Sequence, residues 1–395
     1  MVVPLFRIIN IKLQSNNENI YIGLFAPTLF LTGSKYKAFR KVFFKNFELI
    51  EGSMFRADHF ADVKGNWAIS FTIWKARKSS DKEIQTEYTL KILDIDENTN
   101  VIELGSKVLW NLDNDVTLQE WISSKDNGIE TKKDKLIPRF SSSFKYSSKA
   151  VKTHSQAIGI LVNDTNNIEA TTKGVYLIQS PISRNLKLIY ITHKNFEEAN
   201  LTLASRKLYK ANWINQKNEY SAPNEAHELY KKYCVNCAVY AIFSNANNII
   251  SYRGIEIDNV SYNKRNEWFF MSNNEIKELA SNSNSTIYND SFSYGGETVM
   301  YKYLSENKHL LLDSAKNLII KATKLVRETF NMREILNIDY PQYHINTWDA
   351  GWNQIKQLSI LTHQEEFSAF NNDFKSFEID LLEISEQLGL MKHSE

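Results

Sequence analysis

Residues 21–75 read YIGLFAPTLFLTG, SKYKAFRKVFFKNF and ELIEGSMFRADHFADVKGNWAISFTIWK, which spell strand, helix, strand, turn, strand. The nearly unbroken apolar run over 21–30, closed by Leu31-Thr32-Gly33, predicts a strand buried on both faces of an α/β sheet. Ser34 offers a helix N-cap, and Tyr36, Phe39, Arg40, Phe43, Phe44 and Phe47 then recur at helical spacing. A second strand is expected over 49–59. Lys64-Gly65-Asn66 makes a turn, and 67–74, dense in aromatic and β-branched residues, gives a third strand. So short a turn makes the second and third strands antiparallel, while the crossover helix makes the first and second parallel, and the reading places those two side by side (49–55 beside 21–30).

At these residues the chain resembles the part of an adenine-specific, amino-methylating DNA methyltransferase of restriction-modification type that follows the catalytic Asn-Pro-Pro-Tyr. Three further segments carry the resemblance: ASRKLYKANWINQKNEYSAPNE (204–225), NEWFFMSNNEIKELA (266–280) and YHINTWDAGWNQIK (343–356). These look like the target-recognition region and C-terminus of the same methylases, so the likeness spans most of the chain. It implies an α/β fold: a partial methyltransferase-type sheet over 1–124, closed by an antiparallel hairpin, then a basic Ser-rich linker (125–153). A mixed α+β target-recognition domain (154–305) and a helical C-terminal region (306–395) would follow.

The chain departs from that family where its chemistry resides. Its six prolines include no adjacent pair, so Asn-Pro-Pro-Tyr is missing, and none of its 13 glycines forms a G-x-G turn for S-adenosylmethionine. No catalytic residue and no bound cofactor is therefore expected from this chain alone. S-adenosylmethionine belongs to the complete enzyme, with double-stranded DNA and a separately encoded N-terminal methyltransferase half as partners. The alternative is a non-catalytic remnant, or an interaction module reusing the methylase scaffold. The resemblance assigns DNA contact to Asn212, Trp213, Asn215, Gln216, Lys217, Lys264 and Arg265. Amides can pair with adenine edges and cations with guanine or phosphate, although Asn and Gln are abundant throughout this chain.

The 395 residues are 43% hydrophobic, 24% charged and 12% aromatic, an ordinary globular composition, and the net charge of +1 neither supports nor excludes a basic face. Cys234 and Cys237 form one C-x-x-C with no second pair to complete a zinc site, so they read as packing residues. Two cysteines fit a reducing cytoplasm. No apolar run approaches the ~20 residues of a membrane span, and the N-terminus lacks the basic start and cleavage site of a secretion signal.

Elsewhere, 5–13 reads as a helix leading into the first strand, and 87–111 as two alternating strands around Asp94–Asn98 at the sheet's edge. A short helix is expected over 113–123. The Lys- and Ser-rich stretch 125–152, with Phe140, Phe144 and Tyr146 interleaved, suits either a phosphate-tracking loop or a solvated linker. Strands are expected at 157–162, 175–180 and 186–192, and helices at 195–208, 225–243 and 310–330. Ser272 and Glu275 spell a capping box. His344 and Asp349 could suggest an acid–base pair, against which stands plain packing around a hydrogen-bonded His. No Walker loop, Gly-x-Ser-x-Gly or HExxH motif occurs.

Overall fold

The computed structural model describes residues 2–15, 19–60, 62–65, 67–78, 85, 87–110, 116–125, 134–168, 174–182, 186–215, 218–283, 285, 287 and 296–391. Five strands form the first sheet: β1 (Tyr21–Pro27), β2 (Phe47–Arg56), β3 (Ala68–Ala76), β4 (Glu87–Ile95) and β5 (Val101–Trp110), in the order β1-β3-β2-β4-β5. β3 is antiparallel to both β1 and β2, and β2 is parallel to β4. β1 and β2 thus point the same way, as expected, but they are not neighbours.

The expected side-by-side pairing is corrected because β3 lies between them. β1 carries Gly23 and ends in Pro27, which has no N–H to give a second neighbour, so it suits an edge. β3, AISFTIWKA, is free of both residues and donates along both of its sides. β1 is also shorter than its apolar run, because after Pro27 the chain turns into a short helix, Leu29–Thr32. The crossover helix Lys37–Asn46 is present, preceded by the single 3-10 turn Ser34–Tyr36.

That helix covers one face of the sheet with aromatic packing. The Phe43 ring meets the Trp74 edge at 5.0 Å, Phe44 lies 4.5 Å from Tyr88, and Ile9 of the N-terminal helix Val2–Ser15 joins the same core. Among the described residues the other face has no such aromatic cover. Tyr21 (59% exposed), Phe25 (53%) and Phe71 (43%) look outward from β1 and β3.

Past the sheet, 134–154 is not a plain linker. It folds into a two-stranded ribbon, β6 (Asp134–Phe140) and β7 (Tyr146–His154). β8 (Gly159–Asn163), β9 (Val175–Ile178) and β10 (Leu188–Ile191) form a second sheet in the order β10-β8-β9, and β11 (Tyr252–Ile257) pairs with β12 (Val260–Lys264). Helix Tyr230–Phe243 runs through the centre, with every residue from Tyr233 to Phe243 buried. Helices Phe196–Leu208, Asn273–Ser283, Val299–Glu306, Asp313–Phe330, Trp352–Thr362 and Gln364–Gln387 surround it. A continuous apolar core reaches from Leu118 to Met391, so the expected recognition domain and helical C-terminus share one interior.

Several local readings match the structure. The Ser272 Oγ accepts from the Glu275 N–H (3.1 Å) and the Ser272 N–H donates to Glu275 Oε2 (3.0 Å), a complete capping box. Cys234 and Cys237 are unpaired and buried in the central helix, and burial raises both thiols far above their usual range.

Candidate nucleic-acid interface

The loop expected to read base edges is turned on itself. The Asn212 Oδ1 accepts from the N–H groups of Ile214 and Asn215 at 3.0 Å each, and the Asn215 Oδ1 accepts from the Asn212 N–H at 2.8 Å. The Asn215 amide also donates to the Lys210 carbonyl at 3.1 Å. These two side chains are committed to closing their own turn, as Asn does in loops. Trp213 and Ile214 pack partly buried against the core of the first sheet. Gln216 and Lys217 lie outside the described residues.

Underneath the turn sits a residue that the sequence reading passed over. Lys107 on β5 is 1% exposed and donates to the Ile214 carbonyl and to Asn218 Oδ1 (2.9 Å). Burial lowers its pKa to about 7. Its signal was a lysine at an inward register: strand alternation puts Lys107 on the same side as the buried Leu109.

Lys264 and Arg265 belong to another neighbourhood. Arg265 forms a two-pronged ion pair with Glu267 (2.8 and 3.1 Å) and donates to the Gly296 carbonyl (2.8 Å). Lys264 ends β12, half-buried, with its carbonyl receiving a bond from Arg253 (2.7 Å). Of the residues assigned to DNA contact, Asn212 and Asn215 bond to each other within one turn, while Arg265 is tied to Glu267 and Gly296.

His344 and Asp349 are not partnered either. The buried Asp349 carboxylate holds Arg253 at 3.0 Å and accepts from the Asn266 N–H at 2.7 Å. His344 packs 5.8 Å from the Tyr146 ring, and burial lowers its pKa. The packing reading fits this geometry, although the His344 Nε2 finds no hydrogen-bond partner among the described residues.

The most cationic exposed element is the β6–β7 ribbon. It carries Lys135, Arg139, Lys145, Lys149 and Lys152, all exposed, against the single carboxylate of Asp134. Tyr146, Ser147 and Ser148 are exposed beside them. Its turn is firmly anchored. Phe140 is buried with Ile250, Tyr252 and Ile255, Phe144 meets Tyr343 edge-on at 5.0 Å, and the Ser143 Oγ donates to Asn248 Oδ1 (2.9 Å). A two-stranded ribbon of this kind fits the width of a DNA major groove, where ammonium groups find phosphates and polar side chains find base edges. The sequence marked the basic, aromatic-bearing stretch but not its strands, because alternation there is broken by the Ser-rich turn.

The second open surface is the bare side of the first sheet. β1 has no strand on its outer side among the described residues. Phe25, Phe55 and Phe60 cluster with ring centroids 5.3–5.6 Å apart, and beside them a groove of about 300 Å³ is lined by Phe55, Phe60, Leu93, Ile95 and Val101. His59 Nε2 and Asp94 Oδ1 lie 3.0 Å apart in that groove. Exposed apolar surface next to an open strand edge is a place for another polypeptide.

No group of three His, Cys, Asp or Glu residues among the described residues is placed to hold a metal ion, and no described helix is long and apolar enough to cross a membrane. Set against known proteins, the chain matches no family model, no curated protein and no solved structure.

Proposed function

We propose that this chain is the DNA-binding, target-recognition part of an adenine-specific DNA methyltransferase, completed by a polypeptide that carries the S-adenosylmethionine site and the Asn-Pro-Pro-Tyr chemistry. The observation that carries the reading is the unfinished first sheet. Two strands run parallel and are joined by a helix on one face, with an antiparallel strand between them, while among the described residues β1 has no outer neighbour and the opposite face exposes Phe25 and Phe71 beside the Glu51–Lys91 ion pair. Strands with apolar residues on both faces belong in a sheet covered on both sides. A complementing half that adds strands at β1 and helices on the Phe25–Phe60–Phe71 face would complete it.

Within this proposal the ribbon is the DNA-facing element, taking the place of the 212–215 turn, whose amides are occupied. Ribbon cations supply affinity without sequence preference, and the exposed Ser and Tyr side chains supply base contacts. Duplex binding measured by fluorescence anisotropy across a salt series tests it. Saturable binding at low salt is expected, weakening with a log–log slope of about −3 as roughly three phosphates are contacted. Absence of binding at about 50 mM salt, where such contacts are strongest, would overturn the DNA reading.

A further inference from the structure

Beneath the ribbon lies a partly enclosed cavity of about 110 Å³, walled by Lys135, Thr153, Gln179, Tyr252, Asn263 and Lys264 among others, with no carboxylate in its lining among the described residues. Lys135 is exposed at the rim, where its Nζ donates to the Ala157 carbonyl at 3.2 Å. Lys264, the last residue of β12, forms part of its wall. The carboxylate whose charge offsets both lysines, Glu267, is held by Arg265 and also accepts from the Val299 N–H (3.0 Å). Two lysines therefore line one small cavity that has no carboxylate of its own among the described residues, and the acid nearest to them is already paired with Arg265. We propose that this cavity binds one phosphate group, gripped by Lys264 from within and Lys135 from the rim, with the Thr153 hydroxyl and Asn263 amide as neutral donors.

The size supports a single small group, since pockets for whole drug-sized ligands run to ~300–1,000 Å³. Electrostatics agree: burial, and then repulsion from Lys135, lower the Lys264 pKa to about 7, and an anion in the cavity would reverse that by favouring the charged amine. Charge-assisted N–H···O bonds to phosphate are the strong class of hydrogen bond, and here they would form out of bulk water. The inference stands whether or not the chain serves a methylase.

The phosphate can come from free phosphate or a phosphomonoester, or from a DNA backbone, and one experiment separates these sources. The whole chain is titrated with inorganic phosphate by calorimetry, then with duplex DNA, alongside Lys264→Met and Lys135→Gln. Saturable millimolar or tighter phosphate binding is expected, weakened about tenfold or more by Lys264→Met, as loss of one charge-assisted contact implies. If the phosphate belongs to DNA, phosphate competes with the duplex, and Lys264→Met lowers the salt slope of duplex binding by about one. If it is a free phosphate or monoester, duplex affinity is unchanged in Lys264→Met while phosphate binding is lost. Phosphate that fails to saturate by about 50 mM, or binds both variants as it binds the parent, overturns the proposal. Should Lys264→Met fail to fold, Lys135→Gln on the exposed rim decides alone.

Discussion

Lys107 shows how one side chain can tie two parts of this molecule together. Among the described residues it has no carboxylate partner, and its Nζ donates to the Ile214 carbonyl and the Asn218 amide oxygen. The unfolded chain keeps a lysine protonated to about pH 10.4, whereas the folded chain releases this proton near pH 7. Between those values the unfolded state binds more protons, so stability rises with pH through that window, and the burial cost is fully present below pH 7. Lys107→Met should remove this contribution. Chemical denaturation from pH 7 to 10 should show the parent gaining up to about 1.4 kcal/mol per pH unit that the variant lacks. Parallel curves would refute the burial of the charge. Arg206, also fully buried, donates to Asn163 Oδ1 (2.6 Å) and the Thr165 carbonyl and lies 4.9 Å over the Tyr220 ring. Arg206→Met strands those acceptors and should cost about 2–4 kcal/mol in denaturant unfolding. Gly351 is required for a different reason: a Cβ there would stand 2.4 Å from the Ile249 carbonyl oxygen. Gly351→Ala should therefore cost about 1–3 kcal/mol, read as a lower melting temperature.

Among the elements, the β6–β7 ribbon is the one whose charge and anchoring point toward a ligand. Its turn is held by Phe140, Ser143 and Phe144, so substitution of the exposed Lys145, Lys149 and Lys152 leaves the fold alone. The triple change Lys145→Ala, Lys149→Ala, Lys152→Ala should weaken binding to every duplex alike and remove most of the salt slope, with an unchanged melting curve. By contrast, Asn215→Ala opens the 212–215 turn, and its effect should appear in stability before DNA affinity. A parent-like salt slope in the triple variant would remove the ribbon from the interface.

At the scale of the whole molecule, the bare face of the first sheet is the feature most in need of a partner. The chain alone should show no stoichiometric micromolar binding of S-adenosylmethionine in calorimetry, because the Gly turn that would hold it is missing from the sequence. Such binding would place the cofactor site in this chain and sink the two-part reading. Phe25→Ser with Phe71→Ser should leave the core intact, since both rings face outward, yet abolish joining with the proposed complementing half.

The first helix, the crossover helix, the capping box at Ser272 and the long helix Asp313–Phe330 were legible because each is specified by neighbours in sequence, through periodic apolar residues or a cap. The second and third strands pair antiparallel as expected, but the second ends at Arg56 and a 3-10 turn, Ala57–His59, lengthens the link beyond the expected short turn. Sequence alone also determined that the Gly loop and Asn-Pro-Pro-Tyr are missing, since a motif is local. Strand order was decided only in the folded sheet, because direction follows from a connection's length whereas adjacency follows from which strand can pair on both sides. β3 can, and β1, with Gly23 and Pro27, suits an edge. The fate of polar side chains was likewise tertiary. Asn212 and Asn215 close a turn, Arg265 grips Glu267, and Lys264 faces a cavity shared with Lys135, 129 positions earlier in the chain. Residue type sets what a side chain can bind, but only long-range packing sets what is within about 3 Å of it.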